Sequence, residues 1–529
     1  MPYFPSRWIL QVLLLVILTS LSAPSPAKGL NSSADVIVYG ATSAGVTAAI
    51  SAARNGANVI LLEPGRHVGG MLSGGLGRTD MDRQENVIGG LAKEFFQRVG
   101  RHYGQEVAWT FEPHVAEDVL KNMLAEQKIE PRFGQVLASV TTKEGRITSL
   151  QTRDRQEYSA RVFIDATYEG DLMKAAKVSY TVGREGKEVY GESLAGRRDL
   201  LRSHHQVNFS ISPWKDGKLL PHINAEKDLA PTGAGDGKFQ AYCFRLCLTD
   251  VPENRIPVEA PPGYSPDQYE LLRRCFAVGG DKVDGMLGIK RMPNGKSDVN
   301  SGAPFSLNLL GANQDYPDGT LERRKQIWDE HLRWAQGMVY FLQHDRCVPD
   351  KIREKYAPWG LCKDEFIDTG GWPHQLYIRE GRRMKGEYIL TQNDLKKDLR
   401  KSDCIGLAGY NIDIREVQWV AMRTYYFPKA DEEVYMEGYL SEPVDPWDIP
   451  YRSLLPKKSE CQNLIVPVCA SASTIAYASF RMEPQYMIAG HAAGLAAALA
   501  QRDQKPVQAV SVTELQKILT SEGQILKLK

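Results

Sequence analysis

The sequence predicts an α/β fold in which a Rossmann-like nucleotide-binding domain, built from two distant stretches of the chain, carries an inserted mixed α/β domain. Three patterns lead to this prediction. Residues 35–63 have a strand, a glycine turn, a helix and a second strand in succession. Residues 162–171 give an apolar strand with a polar turn, and residues 465–498 pair a strand with a helix of small residues. Residues 181–440 show neither a repeat nor a second glycine fingerprint, which indicates an insertion.

The first 27 residues have the composition of a secretory signal peptide. Arg7 supplies a positive charge, residues 9–21 form an apolar core, and Ser25-Pro26-Ala27 has the small-x-small pattern of a cleavage site. Polar residues interrupt the core, which is shorter than the roughly 20 residues of a membrane span. We therefore expect a periplasmic or secreted protein that has no stable membrane insertion after the signal is removed.

Charge and cysteine content narrow the possible partners. The chain has 529 residues, with 65 Lys and Arg against 64 Asp and Glu, so neither nucleic acid nor an anionic membrane is expected as a partner. Eight cysteines do not indicate a disulfide framework at this length. Cys243 and Cys247 lack a neighbouring ligand pair, so we expect no metal there and instead buried thiols or a single disulfide.

The first pattern is that of a dinucleotide cradle. Gly40 permits a sharp turn after the strand, and Gly45 lets the helix pack close to that strand. The helix start points free amides and a positive dipole at a pyrophosphate. Glu63 lies 63 − 40 = 23 residues after the first glycine, near the ~20 expected of a carboxylate that binds a ribose. The residues assigned to the turn are Gly40, Thr42, Ser43, Ala44 and Gly45.

Thr42 stands where the dinucleotide fingerprint usually has its middle glycine. The threonine either keeps the backbone farther from the pyrophosphate or uses its hydroxyl to bind it. Because strand, helix and acid surround the turn, nucleotide binding is favoured over a purely structural glycine turn. We expect Thr42→Gly to leave the nucleotide bound, whereas Glu63→Ala or Gly45→Val should lose it.

The residues after Glu63 favour FAD over NAD. The stretch from Arg66 to Met71, RHVGGM, resembles the R-x-x-G-G extension that follows the ribose acid in flavoproteins of the glutathione-reductase-like superfamily. Paired glycines let the main chain lie flat beside a planar ligand, and Arg66 can offset pyrophosphate charge. A flexible glycine loop is the alternative. The residues assigned to this part of the site are Pro64, Arg66, Gly69, Gly70 and Met71.

Two further segments are expected to reach the same cofactor. The strand at residues 162–164 leads into Ala166 and Thr167, which resemble the superfamily segment that returns the chain to FAD; a buried strand with a polar turn is the alternative. Val136, within a strand predicted over residues 129–140, is assigned to the site as well.

The closing pattern places a helix near the flavin. A strand over residues 465–468 precedes a helix opened by Pro484, a residue suited to the first helical turn. Its small face allows very close packing against a sheet or ligand, and its dipole could stabilise reduced flavin. Arg481 and Glu483 lie at that end. A tightly packed core helix is the alternative.

The insertion is expected to form the substrate domain. A strand is predicted over residues 240–248, and residues 376–384 bring Arg379, Arg382 and Arg383 into one short run. Arginines can clamp anions or sugar hydroxyls, although exposed, solvated charge is the ordinary explanation for any one of them.

Together these stretches resemble a family of bacterial FAD-dependent oxidoreductases, many of them exported, whose members include proteins named xanthan lyase-like. Similar sequences often carry histidine in place of Arg415 and glutamine in place of His491, so the substrate preference of this chain could differ. The matching stretches include VYGATSAG, HVGGMLSGGLGRTD, IDATYEGDLMKAA, PTGAGDGKFQAYCFRLCLTD, LYIREGRRMKGEYILTQND, GYNIDIREVQW and NLIVPVCASASTIAYASFRMEPQYMIAGHAAGLAAALA.

The resemblance implies an enzyme that transfers a hydride between a small-molecule substrate and flavin N5. Arg481 is the first candidate for an electrostatic role near the flavin, with Arg379, Arg382 and Arg415 as candidates on the substrate side. A sugar or another polyhydroxylated compound is the expected substrate class. A carbohydrate-binding or polysaccharide-lyase-type protein that keeps the flavin fold as a scaffold is the alternative. The oligomeric state and the electron acceptor stay open.

The expected domain boundaries follow from these assignments. They are a signal peptide at 1–27, FAD-binding segments at 34–180 and 441–503, a substrate domain at 181–440, and a tail at 504–529 with a surface helix over residues 512–519.

Overall fold

A computed structural model describes residues 31–81, 84–200, 206–302, 304–423 and 432–528. The predicted signal peptide, residues 1–27, lies outside the described residues. Among the helices of these ranges, none combines the length and the apolar character that a membrane crossing requires.

The amino-terminal part alternates strands and helices, as the sequence predicts. Its elements are β1 (Asn31–Tyr39), α1 (Ser43–Arg54), β2 (Val59–Leu62), α2 (Gly90–His102), α3 (Pro113–Glu126), β3 (Leu137–Lys143), β4 (Arg146–Thr152), β5 (Glu157–Asp165) and α4 (Asp171–Ala175).

The middle of the chain contains many short strands and one long helix. Its elements are β6 (Tyr180–Thr181), α5 (Lys187–Tyr190), β7 (Trp214–Lys215), β8 (Lys218–Leu219), β9 (Ile223–Ala225), β10 (Leu246–Thr249), β11 (Arg255–Ile256), α6 (Glu270–Gly279), β12 (Leu287–Arg291), β13 (Lys296–Ser301), α7 (Leu321–His344), α8 (Asp350–Tyr356), β14 (Gly360–Cys362), β15 (Arg383–Met384), α9 (Gln392–Lys396), β16 (Cys404–Ala408), β17 (Ile412–Ile414), β18 (Gln418–Met422), β19 (Glu433–Glu437) and β20 (Leu440–Glu442).

The carboxy-terminal part is mostly helical. Its elements are β21 (Trp447–Pro450), β22 (Leu464–Ile465), α10 (Thr474–Phe480), α11 (Glu483–Arg502) and α12 (Val512–Ser521).

One sheet joins the two ends of the chain. β1 is parallel to β2 on one side and to β5 on the other, and its apolar residues are fully buried. β22 pairs with the end of β5 in parallel, so a segment some 300 residues downstream (464 − 163 = 301) belongs to the same sheet. The antiparallel pair β3 and β4 extends the other end of β5. The predicted α/β fold class is confirmed.

Helices α1 and α11 pack against each other very closely because both present small residues. A Cβ atom at Gly490 would lie 2.2 Å from the Ala44 carbonyl oxygen, and one at Gly494 would lie 2.1 Å from that of Ala48. Thr47 Oγ1 donates to the Met487 carbonyl oxygen at 3.0 Å. The small face predicted for the closing helix therefore contacts another helix.

The insertion holds a five-stranded antiparallel sheet in the order β11-β14-β10-β13-β12 and a smaller sheet of β19, β18 and β9. Helix α7, 24 residues long, contacts this part of the structure and carries residues on two opposite faces that line separate cavities. Cys243 and Cys247 are buried thiols without a disulfide.

Three strand predictions are wrong in their extent. The strand predicted over residues 129–140 begins only at 137, because residues 132–135 bond irregularly to the end of β2. The strand predicted over 240–248 begins at 246, since residues 242 and 243 form only isolated bridges. The strand predicted over 465–468 covers 464–465, after which the backbone turns towards α10.

Candidate functional site

Two adjoining cavities lie at the carboxyl ends of β1, β2 and β5, where ligands of parallel α/β sheets usually bind. Their volumes are about 250 Å³ and about 1210 Å³. Residues that follow each of the three strands contribute to the walls: Gly40, Glu63 and Thr167. The cavities share the lining residues Pro64, Gly65, Arg66, His67, Thr167, Glu169, Tyr316, Trp328 and His374.

The start of α1 is built to accept an anion. Thr42 is its N-cap: Oγ1 accepts from the Gly45 amide at 3.3 Å and donates to the Ala166 carbonyl oxygen at 2.7 Å. The first turn of α1 contains no acidic residue, although the Glu483 carboxylate from a distant segment accepts from the Ser43 hydroxyl at its start. The amides of Ser43 and Ala44 begin the helix and have no acceptor within it. Thr42 itself lines the smaller cavity.

Two glycines of the cradle are required by packing. Gly40 has a φ of 97°, and a Cβ atom there would lie 2.8 Å from Thr167 Cγ2. A Cβ atom at Gly45 would lie 1.8 Å from the Gly40 carbonyl oxygen and 3.2 Å from Ala166 Cβ. The turn therefore keeps its shape only with glycine at both positions.

Glu63 is fixed at the wall of the smaller cavity. Its carboxylate accepts from the Ala41 and Gly65 amides, each at 2.6 Å. Burial raises the pKa of Glu63 to about 7, opposed by these two hydrogen bonds. A carboxylate has about four acceptor positions, so the ionised group keeps further acceptors for a ligand hydroxyl.

The paired glycines form an ordered turn. Gly69 and Gly70 have φ values of 101° and 56°, and the Gly69 amide donates to the Ala41 carbonyl oxygen at 2.7 Å. A Cβ atom at Gly70 would lie 2.2 Å from the hydroxyl of Tyr168, which accepts from the Met71 amide at 2.9 Å. These hydrogen bonds and close contacts hold the glycine turn in one shape, unlike the flexible loop that was the alternative prediction.

Glu483 ties three distant segments together. Its carboxylate accepts from Ser43 Oγ at 2.5 Å and from the Tyr168 hydroxyl at 2.7 Å. Burial raises the pKa of Glu483 to about 7, partly offset by these two hydrogen bonds. Tyr168 was not assigned from the sequence, although its position directly after the Ala166-Thr167 pair was a usable signal.

Arg66 is the cation available to a ligand at this site. Its exposed side chain lines both cavities and forms no ion pair or hydrogen bond with any residue that the structure describes. Pro64 lies beside it, and Val136 lines only the larger cavity. An unpaired guanidinium at a helix amino terminus suits a phosphate-bearing ligand.

Two stacked histidines, His67 and His374, line both cavities, and neither was assigned to the site from the sequence. His67 Nδ1 lies 3.2 Å from Glu117 and Nε2 lies 3.1 Å from Asp368, and the hydrogen bond to Glu117 raises the pKa of His67. Its ring stacks on His374 at 3.7 Å. Burial lowers the pKa of His374 to about 4, so this ring is neutral. Neither nitrogen of His374 has a partner among the described residues, and the ring can therefore both donate to and accept from a ligand.

The remaining predicted cofactor residues support the cavity without lining it. Ala166 lies behind Gly40 and Gly45, Gly69 bonds to the cradle, and Ser43, Met71 and Glu483 belong to the network around Tyr168. The side chain of Ala44 is buried against α11.

Arg481 and Arg379 meet at Tyr377, beside the start of α11. Arg481 donates to the Tyr377 hydroxyl at 2.9 Å and to the Asp413 carboxylate at 3.0 Å. Arg379 lies over the Tyr377 ring, 4.5 Å from its centroid, and donates to Cys243 Sγ at 3.1 Å. These two arginines are buried, contrary to the expectation of exposed charge.

The other two candidate arginines occupy different places. Arg415 is half-buried and donates to the Ser301 carbonyl oxygen at 3.1 Å. The negative charge of Asp413 favours the charged form of Arg415. Arg382 lies in the wall of the larger cavity, where it bonds to Asp171 at 2.8 Å and Asp318 at 3.0 Å. The structure therefore brings Arg379 and Arg481 together at Tyr377, leaves Arg415 outside that contact and places Arg382 in the wall of the larger cavity.

One group of side chains has the spacing of metal ligands, namely Glu112, His114 and Glu365. The Lys296 ammonium lies 2.7 Å from both Glu112 and Glu365 and forms an ion pair with each carboxylate. This group is a buried ion-pair network.

Comparison with known proteins gives one extensive match. The family model described as "FAD dependent oxidoreductase" matches residues 35–519.

Solved structures give weaker likenesses. A geranylgeranyl bacteriochlorophyll reductase-like protein from Thermoplasma acidophilum is 11% identical over 94% of this chain and 85% of its own, with a TM-score of 0.35. A 3-ketosteroid-Δ4-(5α)-dehydrogenase from Rhodococcus jostii is 16% identical over 27% of this chain and 48% of its own, with a TM-score of 0.18. A flavin-containing monooxygenase from Stenotrophomonas maltophilia is 17% identical over 30% of this chain and 43% of its own, with a TM-score of 0.20. The chain thus spans less than half the length of the last two.

Proposed function

Because the chain belongs to the family of FAD-dependent oxidoreductases, we propose that it binds FAD along the two cavities and oxidises or reduces a small polyhydroxylated substrate, such as a sugar. FAD, when bound, supplies hydride transfer at flavin N5. The observation that carries the proposal is the cradle at the ends of β1, β2 and β5, where the start of α1 and the Arg66 guanidinium, unpaired among the described residues, lie at the same cavity.

The residues present fit FAD. Gly40 lines the smaller cavity, and a Cβ atom there would lie 2.8 Å from Thr167 Cγ2, so the turn that shapes this wall requires glycine. Ser43 and Ala44 begin α1, and with Arg66 they would hold the pyrophosphate, while the Glu63 carboxylate would hold the ribose. The unpartnered nitrogens of His374 offer further polar contacts in the same space.

The arginine and tyrosine cluster at the start of α11 supports a substrate site there. Arg481 lies beside the amino end of α11, and its guanidinium would stabilise negative charge that develops during reduction. Tyr377 and Asp413 hold the Arg481 guanidinium in position. Arg379 and Arg415 would orient substrate hydroxyls, since a guanidinium offers several donors in a fixed geometry.

An absorption spectrum of the purified protein, with and without added FAD, tests cofactor binding. We expect flavin bands in the unaltered protein, and Arg66→Gln and Glu63→Ala should each weaken FAD binding tenfold or more, because each removes a charged contact worth about 1.5–3 kcal/mol. Arg101→Gln is the matched control, since Arg101 is exposed on α2 and lines neither cavity. An absence of flavin bands after incubation with FAD and removal of the unbound FAD by gel filtration would refute the proposal.

Anaerobic mixing of the FAD-bound protein with a panel of aldoses and polyols tests the substrate class. We expect one of them to bleach the flavin absorption, and Arg481→Met should slow the bleaching at least a hundredfold, the usual cost of a lost electrostatic stabiliser. Bleaching by none of them, with FAD bound, would reject the sugar class while leaving cofactor binding intact.

We also propose that the protein is exported and that its domains follow the expected boundaries, with residues 34–180 and 441–503 binding FAD around an insertion at 181–440. The composition of residues 1–27 supports export. Amino-terminal sequencing of protein made in a bacterial host should find Lys28 as the first residue, and an intact amino terminus on cytoplasmic protein would argue against export.

A further inference from the structure

A third cavity, of about 440 Å³, lies on the other side of α7 from the cofactor cavities. Helix residues Arg324, Lys325 and Trp328 line the cofactor side, whereas Glu330 and Trp334 line this one. Its volume falls within the roughly 300–1000 Å³ of small-molecule sites. The helix therefore separates two spaces that a ligand could fill independently.

Aromatic rings form the inner wall of this cavity. Trp419 lies 5.7 Å from Phe305 and 6.5 Å from Trp334, and Trp334 lies 4.8 Å from Tyr269, measured between ring centroids. Trp419 is 3% exposed and Tyr269 is 1% exposed, so the wall is held by packing. Such a surface suits a planar, largely apolar ligand.

One donor in this wall lacks an acceptor. Trp334 Nε1 donates to the Ser306 carbonyl oxygen at 2.9 Å, and the Tyr269 hydroxyl donates to the Trp334 carbonyl oxygen at 3.0 Å. The indole N–H of Trp419 is buried and has no partner among the described residues. A buried unsatisfied donor costs about 1–3 kcal/mol, and because this nitrogen has no surface that a ligand could contact, Trp419 contributes only its ring to the wall.

One cation at the rim of the cavity has no ion-pair partner among the described residues. Glu330 lies 3.4 Å from His222, Glu270 lies 2.6 Å from Arg273, and Asp267 lies 3.2 Å from Lys215. The guanidinium of Arg333 is exposed, lines the cavity and forms no ion pair with any described residue. Arg333 is therefore the cation at the rim that could pair with an anionic group of a ligand.

We propose that this cavity is a second ligand site, separate from the cofactor site, for a planar aromatic carboxylate. The ring system packs against Trp419, Trp334 and Phe305, and the carboxylate pairs with Arg333 at the rim. The site does not depend on the reaction proposed above.

Calorimetric titration of the full chain, saturated with FAD, with 6-hydroxy-2-naphthoate tests this inference. We expect one-to-one binding that is about tenfold weaker in Arg333→Gln and about fivefold weaker in Trp419→Phe, because a charged hydrogen bond and part of an aromatic contact are lost respectively. Arg346→Gln and Trp214→Phe are matched controls, since both side chains lie outside the cavity, and neither should alter binding.

Two comparisons make the result decisive. 2-Naphthol lacks the carboxylate. It should bind to the unaltered protein about as weakly as 6-hydroxy-2-naphthoate binds to Arg333→Gln. Because Arg333 is exposed, this substitution does not disturb the core. Lack of binding, equal binding of the two compounds, or competition between FAD and the naphthoate would each overturn the inference.

Discussion

The cradle and the insertion are held together by different means. In the cradle, small residues and backbone hydrogen bonds bring the chain into close contact, as at Gly45 and Gly490. The insertion depends on buried ion pairs: Arg245 bonds to Asp298, and Lys296 lies among three carboxylates. The small residues of the first kind of contact form a recognisable pattern within each segment, whereas the partners of a buried ion pair belong to no such pattern.

This difference determines which amino-acid substitutions each part of the molecule tolerates. A backbone contact fails when any atom is added, because the neighbouring carbonyl has nowhere to move. A buried ion pair fails when one partner is removed, because the other charge is left without compensation. The predictions below test this contrast.

Gly45→Val should have the largest effect. Its Cβ would lie 1.8 Å from the Gly40 carbonyl oxygen, so we expect a loss of at least about 3 kcal/mol in stability together with loss of FAD binding. Thermal unfolding and the flavin spectrum measure both. Ala53→Val, on the half-buried side of the same helix, is the control and should retain FAD. Normal FAD binding by Gly45→Val would show that the close contact at Gly45 is not needed for the shape of the cradle.

Removal of Arg245 should be nearly as costly. Asp298 is fully buried, and Arg245→Met leaves it without its cation, so we expect a loss of about 3–5 kcal/mol in stability. The double change Arg245→Met with Asp298→Leu should recover a large part of this loss, as judged by thermal unfolding. No recovery in the double variant would mean that the pair contributes through shape and not through charge.

Glu483 should make the cradle more stable in acid than in base. Its pKa rises from 4.5 to about 7 on folding because it is buried. The folded state therefore holds the proton more tightly, and stability from this group is fully present below pH 4.5 and lost as the pH rises through 7. Glu483→Gln should remove up to roughly 3 kcal/mol of this dependence.

Thermal unfolding of the FAD-free protein between pH 5 and pH 8 measures the effect of Glu483→Gln. Glu130→Gln, at an exposed carboxylate, should leave the pH dependence unchanged. An unchanged dependence in Glu483→Gln would show that another buried acid, such as Asp165, dominates.

Thr42 should give the smallest effect. Thr42→Ala removes the N-cap of α1 and should cost about 1 kcal/mol, whereas Thr42→Ser keeps the hydroxyl and should cost less. FAD should remain bound in both variants and in Thr42→Gly, as a titration followed by flavin fluorescence would show. Loss of FAD in Thr42→Ala and Thr42→Gly, with FAD retained in Thr42→Ser, would mean that the hydroxyl binds the cofactor directly.

The α/β fold and the FAD family were predictable because they depend on local geometry. Gly40, Gly45 and Glu63 lie within one strand–helix–strand unit, so their spacing along the chain reflects their spacing in the fold. The family match confirms the prediction of FAD as the cofactor. The positions of Tyr168 and His374 were not predicted, since neither belongs to a spaced motif.

The buried arginines show the limit of reading the chain alone. Arg379 and Arg382 were expected to be exposed, yet they are 2% and 1% exposed. The partners of Arg382, Asp171 and Asp318, are 211 and 64 residues away. Such pairings leave no periodic signal, because any acidic residue in a long chain is an equally good candidate.

By itself, the sequence determined the cradle: its strands, its turn, its glycines and its acid, because a tight turn and a close helix contact each admit few residue types. Only the tertiary structure decided that Ser43, Tyr168 and Glu483 form one network, and that α7 separates a cofactor space from an aromatic cavity. Those arrangements depend on how distant segments meet, and many sequences with the same local patterns could meet differently.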